Sequence, residues 1–280
     1  MRMTGIGLLL AARWLYGQQT AAQSVNIPLG SFTSQALYFT NTDSRQGMQE
    51  INNAIMSITS IPAALDLTQR TLEVRGSADK IELAEWLFNE LDRPATAQAS
   101  QGPNYTTFTE QLPDGRTLTE VVRVFYFTNS TSPKRIQETA NTIRAITDIS
   151  RPMPIFNERR AIVLRGRLDR MGLAEWLFNE LNQLPTAQRS RVLQYRLSPA
   201  TADQDHSDLT RIFYLSGTAN AQQVFNAIRS SIKMPDSRHP DFPRMMPDTE
   251  QNVLVVRASD TQMADAEKLV QQLDSPSTKQ

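Results

Sequence analysis

Apolar and polar positions follow one recurring order along this chain: a strand-like run, a helical stripe, a denser apolar run, and a second helical stripe. Mid-chain, Val121-Val122-Arg123-Val124-Phe125-Tyr126-Phe127 is rich in β-branched and aromatic residues, which predicts a strand facing a core. Ser132 then precedes Pro133, a capping residue followed by the one helical position where proline loses no hydrogen bond. Ile136, Ala140 and Ile143 continue at helical spacing, and Pro152-Met153-Pro154 ends the helix in an extended segment. Ala161-Ile162-Val163-Leu164-Arg165-Gly166 predicts a central strand covered by helices on at least one face.

This order occurs three times. Leu83-Ala84-Glu85-Trp86-Leu87-Phe88-Asn89-Glu90-Leu91 recurs letter for letter from Leu173 to Leu181, and Ala266-Glu267-Lys268-Leu269-Val270-Gln271-Gln272-Leu273 is a looser third copy. Upstream lie Leu37-Tyr38-Phe39-Thr40-Asn41, Phe125-Tyr126-Phe127-Thr128-Asn129 and Phe213-Tyr214-Leu215-Ser216-Gly217. These strands are 88 residues apart, whereas the helices are 90 and then 92 apart, so small insertions separate the two landmarks. The first-helix stripe is Met48, Asn52, Ile55 in one unit and Val224, Ile228, Ser231 in another; Ile51 and Ile232 shift the apolar face around the two polar misfits. In the second helix, Ile81, Ala84, Leu87, Phe88 and Leu91 share the face expected to meet the sheet, with Trp86 to one side. Gly76 and Gly166 end the central strand, where the chain needs an unusual backbone angle or a close approach; Ala258 in the third unit shows that a left-handed angle is not compulsory.

The expected fold class is α+β: three tandem βαββα domains, each with two helices packed on a small three-stranded sheet. Connectors add edge strands. Thr106 to Gln111, the Leu112-Pro113-Asp114-Gly115 turn and the strand that follows read as a hairpin, and Arg191 to Leu197 can serve the third unit in the same way. The expected boundaries are a signal peptide over residues 1–24, a first domain over 25–94, a linker over 95–104, a second domain with its hairpin over 105–185, and a third over 186–280. Units of about 60 residues are marginal alone, so neighbours are expected to support one another.

Composition narrows the functional classes. With 29 basic and 29 acidic residues, the chain has no summed field to hold a polyphosphate or an anionic membrane. No cysteine is present, which excludes disulfides, thiolate metal sites and cysteine nucleophiles. Near the start, Arg2 precedes an apolar run from Ile6 to Ala12, and Thr20-Ala21-Ala22 offers small residues for cleavage, so the mature protein is expected to begin near Ser24. Arg13 interrupts the run, and no other stretch approaches the ~20 apolar residues that span a bilayer.

An aromatic strand, a helix, a β-rich run ending in Arg-Gly or Arg-Ala, and a helix ending in Leu and often Asp resemble the small N-terminal domains of bacterial secretins. The matching residues are Leu72 to Gly76 with Ala84 to Asp92, Ile162 to Gly166 with Ala174 to Asn182, and Leu254 to Ala258 with Ala266 to Asp274. The resemblance covers residues 36–274 and implies βαββα ring-building modules that stack end to end in the periplasm. The sequence up to Gln280 departs from the secretins in showing no long β-rich pore-forming region after the third repeat, so pore formation is not expected of it. The implied role is therefore recruitment or assembly through protein partners, a secretin or another envelope component, or through further copies of this chain. Nucleic acid, a cofactor and an integral membrane span are not expected.

Among candidate site residues, Trp86 and Trp176 stand beside the apolar face, and the third unit has Lys268 at the same place. A core position hardly changes from Trp to Lys, but an interface position does so where nothing stacks beyond it. Contact between units or with a partner chain is one reading, and peripheral packing within each domain is the other. Glu85 and Glu175 repeat beside them and join the candidate interaction set. Glu85 and Glu90, like Glu175 and Glu180, point about 140° apart on a helix, which suits solvated flanks better than a glycosidase pair. His206 and His239, the only histidines, have acidic neighbours but no metal-ligand register. No nucleophile elbow, phosphate-binding loop or His-Glu-x-x-His occurs, and the Gly-x-x-Gly loop of nucleic-acid-binding βαββα modules is missing. A non-enzymatic envelope adaptor is thus the first expectation, a carbohydrate- or peptidoglycan-binding module using exposed aromatics the second, and a degenerate hydrolase the third.

Overall fold

The computed structural model describes residues 33–94, 103–111, 115, 117–129, 132–149, 152–183, 192–197, 209–215, 219–231 and 242–274. The expected signal peptide, residues 95–102 of the linker and the loops bearing His206 and His239 lie outside the described residues.

The first unit comprises β1 (Thr33–Tyr38), α1 (Arg45–Thr59), β2 (Ala63–Asp66), β3 (Thr71–Gly76) and α2 (Ala78–Leu91), with sheet order β1-β3-β2. The second comprises β4 (Tyr105–Gln111), β5 (Thr117–Tyr126), α3 (Pro133–Thr147), β6 (Ile155–Phe156), β7 (Ala161–Arg167) and α4 (Leu168–Leu181), in the order β4-β5-β7-β6. The third comprises β8 (Val192–Arg196), β9 (Leu209–Tyr214), α5 (Ala221–Ser231), β10 (Arg244–Asp248), β11 (Val253–Ala258) and α6 (Asp260–Leu273), in the order β10-β11-β9-β8. The described residues therefore form three tandem βαββα units on separate antiparallel sheets, and β4 and β8 are the edge strands contributed by the connectors.

The three units share one register. Tyr38 faces Thr71, Tyr126 faces Ala161 and Tyr214 faces Val253 across the paired strands. Each central strand is entered from a turn whose last residue is left-handed: Arg70 at φ 53°, Arg160 at 51° and Asn252 at 53°. The carbonyls of those residues accept from Phe39, Phe127 and Leu215 respectively, tying the turn to the end of the aromatic strand. Helix starts follow the sequence. Ser44 and Ser132 accept from the backbone three residues on, Pro133 occupies the first turn, and Ser259 forms a capping box with Gln262.

At Gly76 a close approach, and not an unusual angle, explains the glycine. A Cβ there would lie 2.9 Å from Cγ2 of Ile61, and at Gly166 one would lie 3.3 Å from Ile149. Among the described glycines, only Gly115 has a positive φ, 83°, in the β4–β5 connection. Residues 112–114 of that turn lie outside the described residues.

The second sheet is buried on both faces. Phe125, Ile162 and Leu164 point into the core shared with α3 and α4, while Val122, Val124, Tyr126, Ala161 and Val163 join the core of α1 and α2. Likewise Ile212, Val253 and Val255 of the third sheet close over the second unit, while Phe213, Leu254 and Val256 pack on α5 and α6. This is why Ala161 to Leu164 is continuously apolar instead of alternating. Each such Val or Leu contributes about 2 kcal/mol when fully buried. β3 instead alternates, with Leu72 and Val74 buried but Glu73 and Arg75 exposed. Each sheet after the first is a floor for its own helices and a lid for the helices before it.

Candidate interaction site at the unit junctions

Four contacts recur at the two junctions. The first is aromatic: the Trp86 ring lies 5.1 Å from that of Tyr105 on β4, and Trp176 lies 5.4 Å from Tyr195 on β8. Both tilted pairs fall in the range where ring quadrupoles attract. The second uses the register tyrosines. The Tyr126 hydroxyl donates to the Glu90 carbonyl at 2.6 Å, and that of Tyr214 donates to the Glu180 carbonyl at 3.3 Å. The third uses the arginine near the end of the central strand: Arg165 Nη1 donates to the Ile58 carbonyl at 2.6 Å, and Arg257 Nη1 to the Ile146 carbonyl at 3.2 Å. Those carbonyls lie in the last turns of α1 and α3, where a guanidinium also meets the negative end of the helix dipole.

The fourth contact joins the first helix of one unit to the turn before the next central strand. Glu50 Oε2 accepts from the Glu158 amide at 3.3 Å, and Glu138 Oε2 accepts from the Glu250 amide at 3.2 Å. Beside it, Arg159 Nη1 donates to the Arg93 carbonyl at 3.0 Å, while Gln251 Nε2 donates to the Leu181 carbonyl at 2.9 Å. The second helix of each preceding unit is thereby capped by the unit that follows.

Burial at these junctions perturbs their titrating groups. Burial raises the Glu90 carboxyl above its usual range, against the pull of the Arg93 guanidinium. Burial and the Glu90 charge push Tyr126 up, and burial and Glu180 do the same to Tyr214. Burial raises the Asp248 carboxyl to about 6 against the Gln251 amide, with the neighbouring Glu138 carboxylate pushing the same way. Glu138 itself is lowered: burial opposes its charge, but hydrogen bonds from Asp248, Thr249 and the Glu250 amide and the Lys134 charge outweigh it.

The structure separates the candidate residues into two sets. Trp86 and Trp176 are half-buried and sit at the first and second junctions. Glu175 instead binds Arg123 on β5 of its own unit at 2.6 Å, as Glu267 binds Arg211 on β9 at 2.6 Å. Glu85 is exposed, and the first unit has Gln35 where the others have the arginine. Glu90 corrects the expectation of a solvated flank: it is 4% exposed, because the second unit covers the end of α2. Tyr126, Tyr214, Arg165 and Arg257 escaped the sequence reading. Their signal was a Tyr at the 88-residue spacing and an Arg at the 90- and 92-residue spacings, polar groups kept inside apolar strands.

A double-mutant cycle on Trp176 and Tyr195 tests the ring contact. Trp176→Lys alone is expected to cost about 2 kcal/mol of unfolding free energy, with a coupling of about 1 kcal/mol to Tyr195→Ala. A coupling indistinguishable from zero in denaturant titrations would remove the pair as an anchor.

No family model and no curated protein matches the chain. Among solved structures, the chain is similar to N-terminal domains of secretins and to whole secretin chains. The N-terminal domain of the secretin XcpQ from Pseudomonas aeruginosa shares 14% identity over 88% of this chain and 100% of that one, with a TM-score of 0.26. ExeD from Aeromonas hydrophila shares 12% over 88% of this chain and 42% of that one, with a TM-score of 0.20. The secretin GspD of the ETEC pilotin–secretin AspS–GspD complex shares 13% over 88% and 38%, with a TM-score of 0.19. The chain thus spans less than half the length of these last two secretin chains.

Proposed function

We propose that this protein is an exported, non-enzymatic assembly or adaptor protein of the cell envelope, built of secretin-type N-domains and joining proteins of a secretion or pilus-type machinery. The observation that carries the reading is the repeated junction, in which a sheet of one βαββα unit closes over the helix pair of another through the same Tyr, Arg and Trp positions. A surface that mates with its own kind twice within one chain is a ready device for mating with the same kind of unit on another protein. Trp86 and Trp176 act in this reading as junction anchors. Both pack against tyrosines of the following unit, a contact that favours the junction reading over the carbohydrate-binding one for these two residues.

Cell fractionation with N-terminal sequencing tests the export half of the reading. The expected result is protein in the periplasmic fraction beginning near Ser24. Protein that retains Met1 and stays in the cytoplasm would contradict it. The adaptor half predicts that deleting the gene lowers export of secreted or pilus proteins, and unchanged export would count against it.

A further inference from the structure

The first sheet has an outer face that corresponds, position for position, to the lids formed by the second and third. Its centre is polar, with Glu73 where those sheets have Val163 and Val255, and Thr71 where they have Ala161 and Val253. A sheet face in contact with water needs that much. Two residues do not fit a plain water-facing cap. Tyr38, 65% exposed, occupies the position whose counterparts Tyr126 and Tyr214 hold helix carbonyls. Arg75, also exposed, occupies the position of Arg165 and Arg257. Among the described residues, neither side chain has a hydrogen-bond partner.

The far end of the chain does not offer the complement. On α5 and α6, Asn226 replaces Glu50 and Glu138, Asp265 replaces Leu83 and Leu173, and Lys268 replaces Trp86 and Trp176. All three replacements are exposed, whereas Leu83 and Leu173 are buried. A second copy stacked end to end would set the first sheet against charges in place of the apolar ridge, so it is not the occupant.

We propose that the outer face of the first sheet docks on a helix pair of the α1/α2 type carried by a different protein. Its two helices would end side by side, offer carbonyls to Tyr38 and Arg75, and present an apolar ridge between them. The inference rests on the adaptor reading and supplies its surface and the chemistry of its partner. With Glu73 and Thr71 at the centre, hydrogen bonds to helix ends contribute more here than at the internal junctions, which favours reversible docking.

The intact chain can carry its own probe. Asn226→Glu and Asp265→Leu together restore the acidic and apolar residues of the internal junctions at the far end. Lys268→Trp replaces a charge by apolar area without a ring partner, since the described first sheet has no strand equivalent to β4 or β8. The triple variant should therefore associate head to tail. Its weight-average mass in sedimentation should rise at least about twofold at concentrations of tens of micromolar, as a heterologous contact of micromolar affinity requires. Adding Tyr38→Ala and Arg75→Ala should return the mass to that of a monomer, with far-UV circular dichroism unchanged throughout. A folded triple variant that stays monomeric overturns the proposal, and so does association that persists without Tyr38 and Arg75, since that is only an adhesive apolar patch. Tyr38-dependent association of the unaltered chain would make a second copy the occupant and equally overturn it. The export test is independent: periplasmic protein with an inert first sheet keeps the adaptor reading and loses the face, and cytoplasmic protein with a docking face does the reverse.

Discussion

Val163→Glu is expected to destabilise the chain by about 4 kcal/mol, the scale of burying an unpaired charge, and to loosen the first unit although Val163 belongs to the second. Val163 is fully buried on β7, pairs with Val124 on β5, and points into the core of α1 and α2. A carboxylate there has no partner in that apolar core, so it must either stay charged out of water or take up a proton. The mirror change is the internal control. Glu73 is the first unit's counterpart, exposed on β3, and Glu73→Val should move stability by less than about 0.5 kcal/mol. Chemical denaturation of both variants, with helix content followed by far-UV circular dichroism, checks the pair. A cost below about 1 kcal/mol for Val163→Glu would mean that the second sheet does not close the first unit's core.

Asp92→Ala is expected to cost about 3 kcal/mol, because it takes a charged acceptor from the buried Thr42 amide and from the part-buried donors of Thr40 and Asn41. Asp92 follows α2, is 4% exposed, and accepts from the Thr40 amide at 2.7 Å and hydroxyl at 2.9 Å, the Asn41 amide at 3.2 Å and the Thr42 amide at 2.8 Å. Burial alone would raise this carboxyl, but the donors of Thr40, Asn41 and Thr42 outweigh it and hold the group below its ordinary range. A folded pKa below the unfolded value of about 3.9 fixes the sign. The stabilisation is fully present above that value and is lost as pH falls through the folded pKa. Asp92→Asn removes this contribution, so the stability difference between wild type and variant should be constant above about pH 5 and shrink below pH 4. The second unit already uses the amide version, with Asn182 accepting from the Asn129 amide at a longer 3.4 Å. A difference that does not change with pH would show that the Asp92 charge contributes nothing to this lock.

The fold was legible because its signals are local and repeated. Ser132-Pro133 begins a helix wherever it meets an apolar stripe, and the Ala161 to Leu164 run makes a buried strand from its own composition. Glu90 was not legible. Its helix phase places it beside the stripe, and only a tertiary event, the second unit closing over the end of α2, buries it. Gly76 shows the same limit. Its identity signals either a special angle or a tight contact, and the choice required knowing that Ile61 sits 2.9 Å from where a Cβ would be. The junction residues lay between these extremes. Trp86 and Trp176 stood out because Lys268 breaks their pattern, whereas Tyr126 and Arg165 looked like ordinary members of core strands until their hydroxyl and guanidinium were seen on helix carbonyls.

The central claim is that neighbouring units share their cores, so that the lid sheet and the helices beneath it open together. Residue-resolved hydrogen exchange on the intact chain under native conditions measures this directly. The predicted result is that amides in the middle of α1 and α2, around Ile55 and Leu87, exchange with the same opening free energy as those of β5 and β7 around Val124 and Val163, and that Val163→Glu lowers all four together. Amides of α1 and α2 that keep their protection in Val163→Glu while those of β5 and β7 lose it would show independent units and contradict the account.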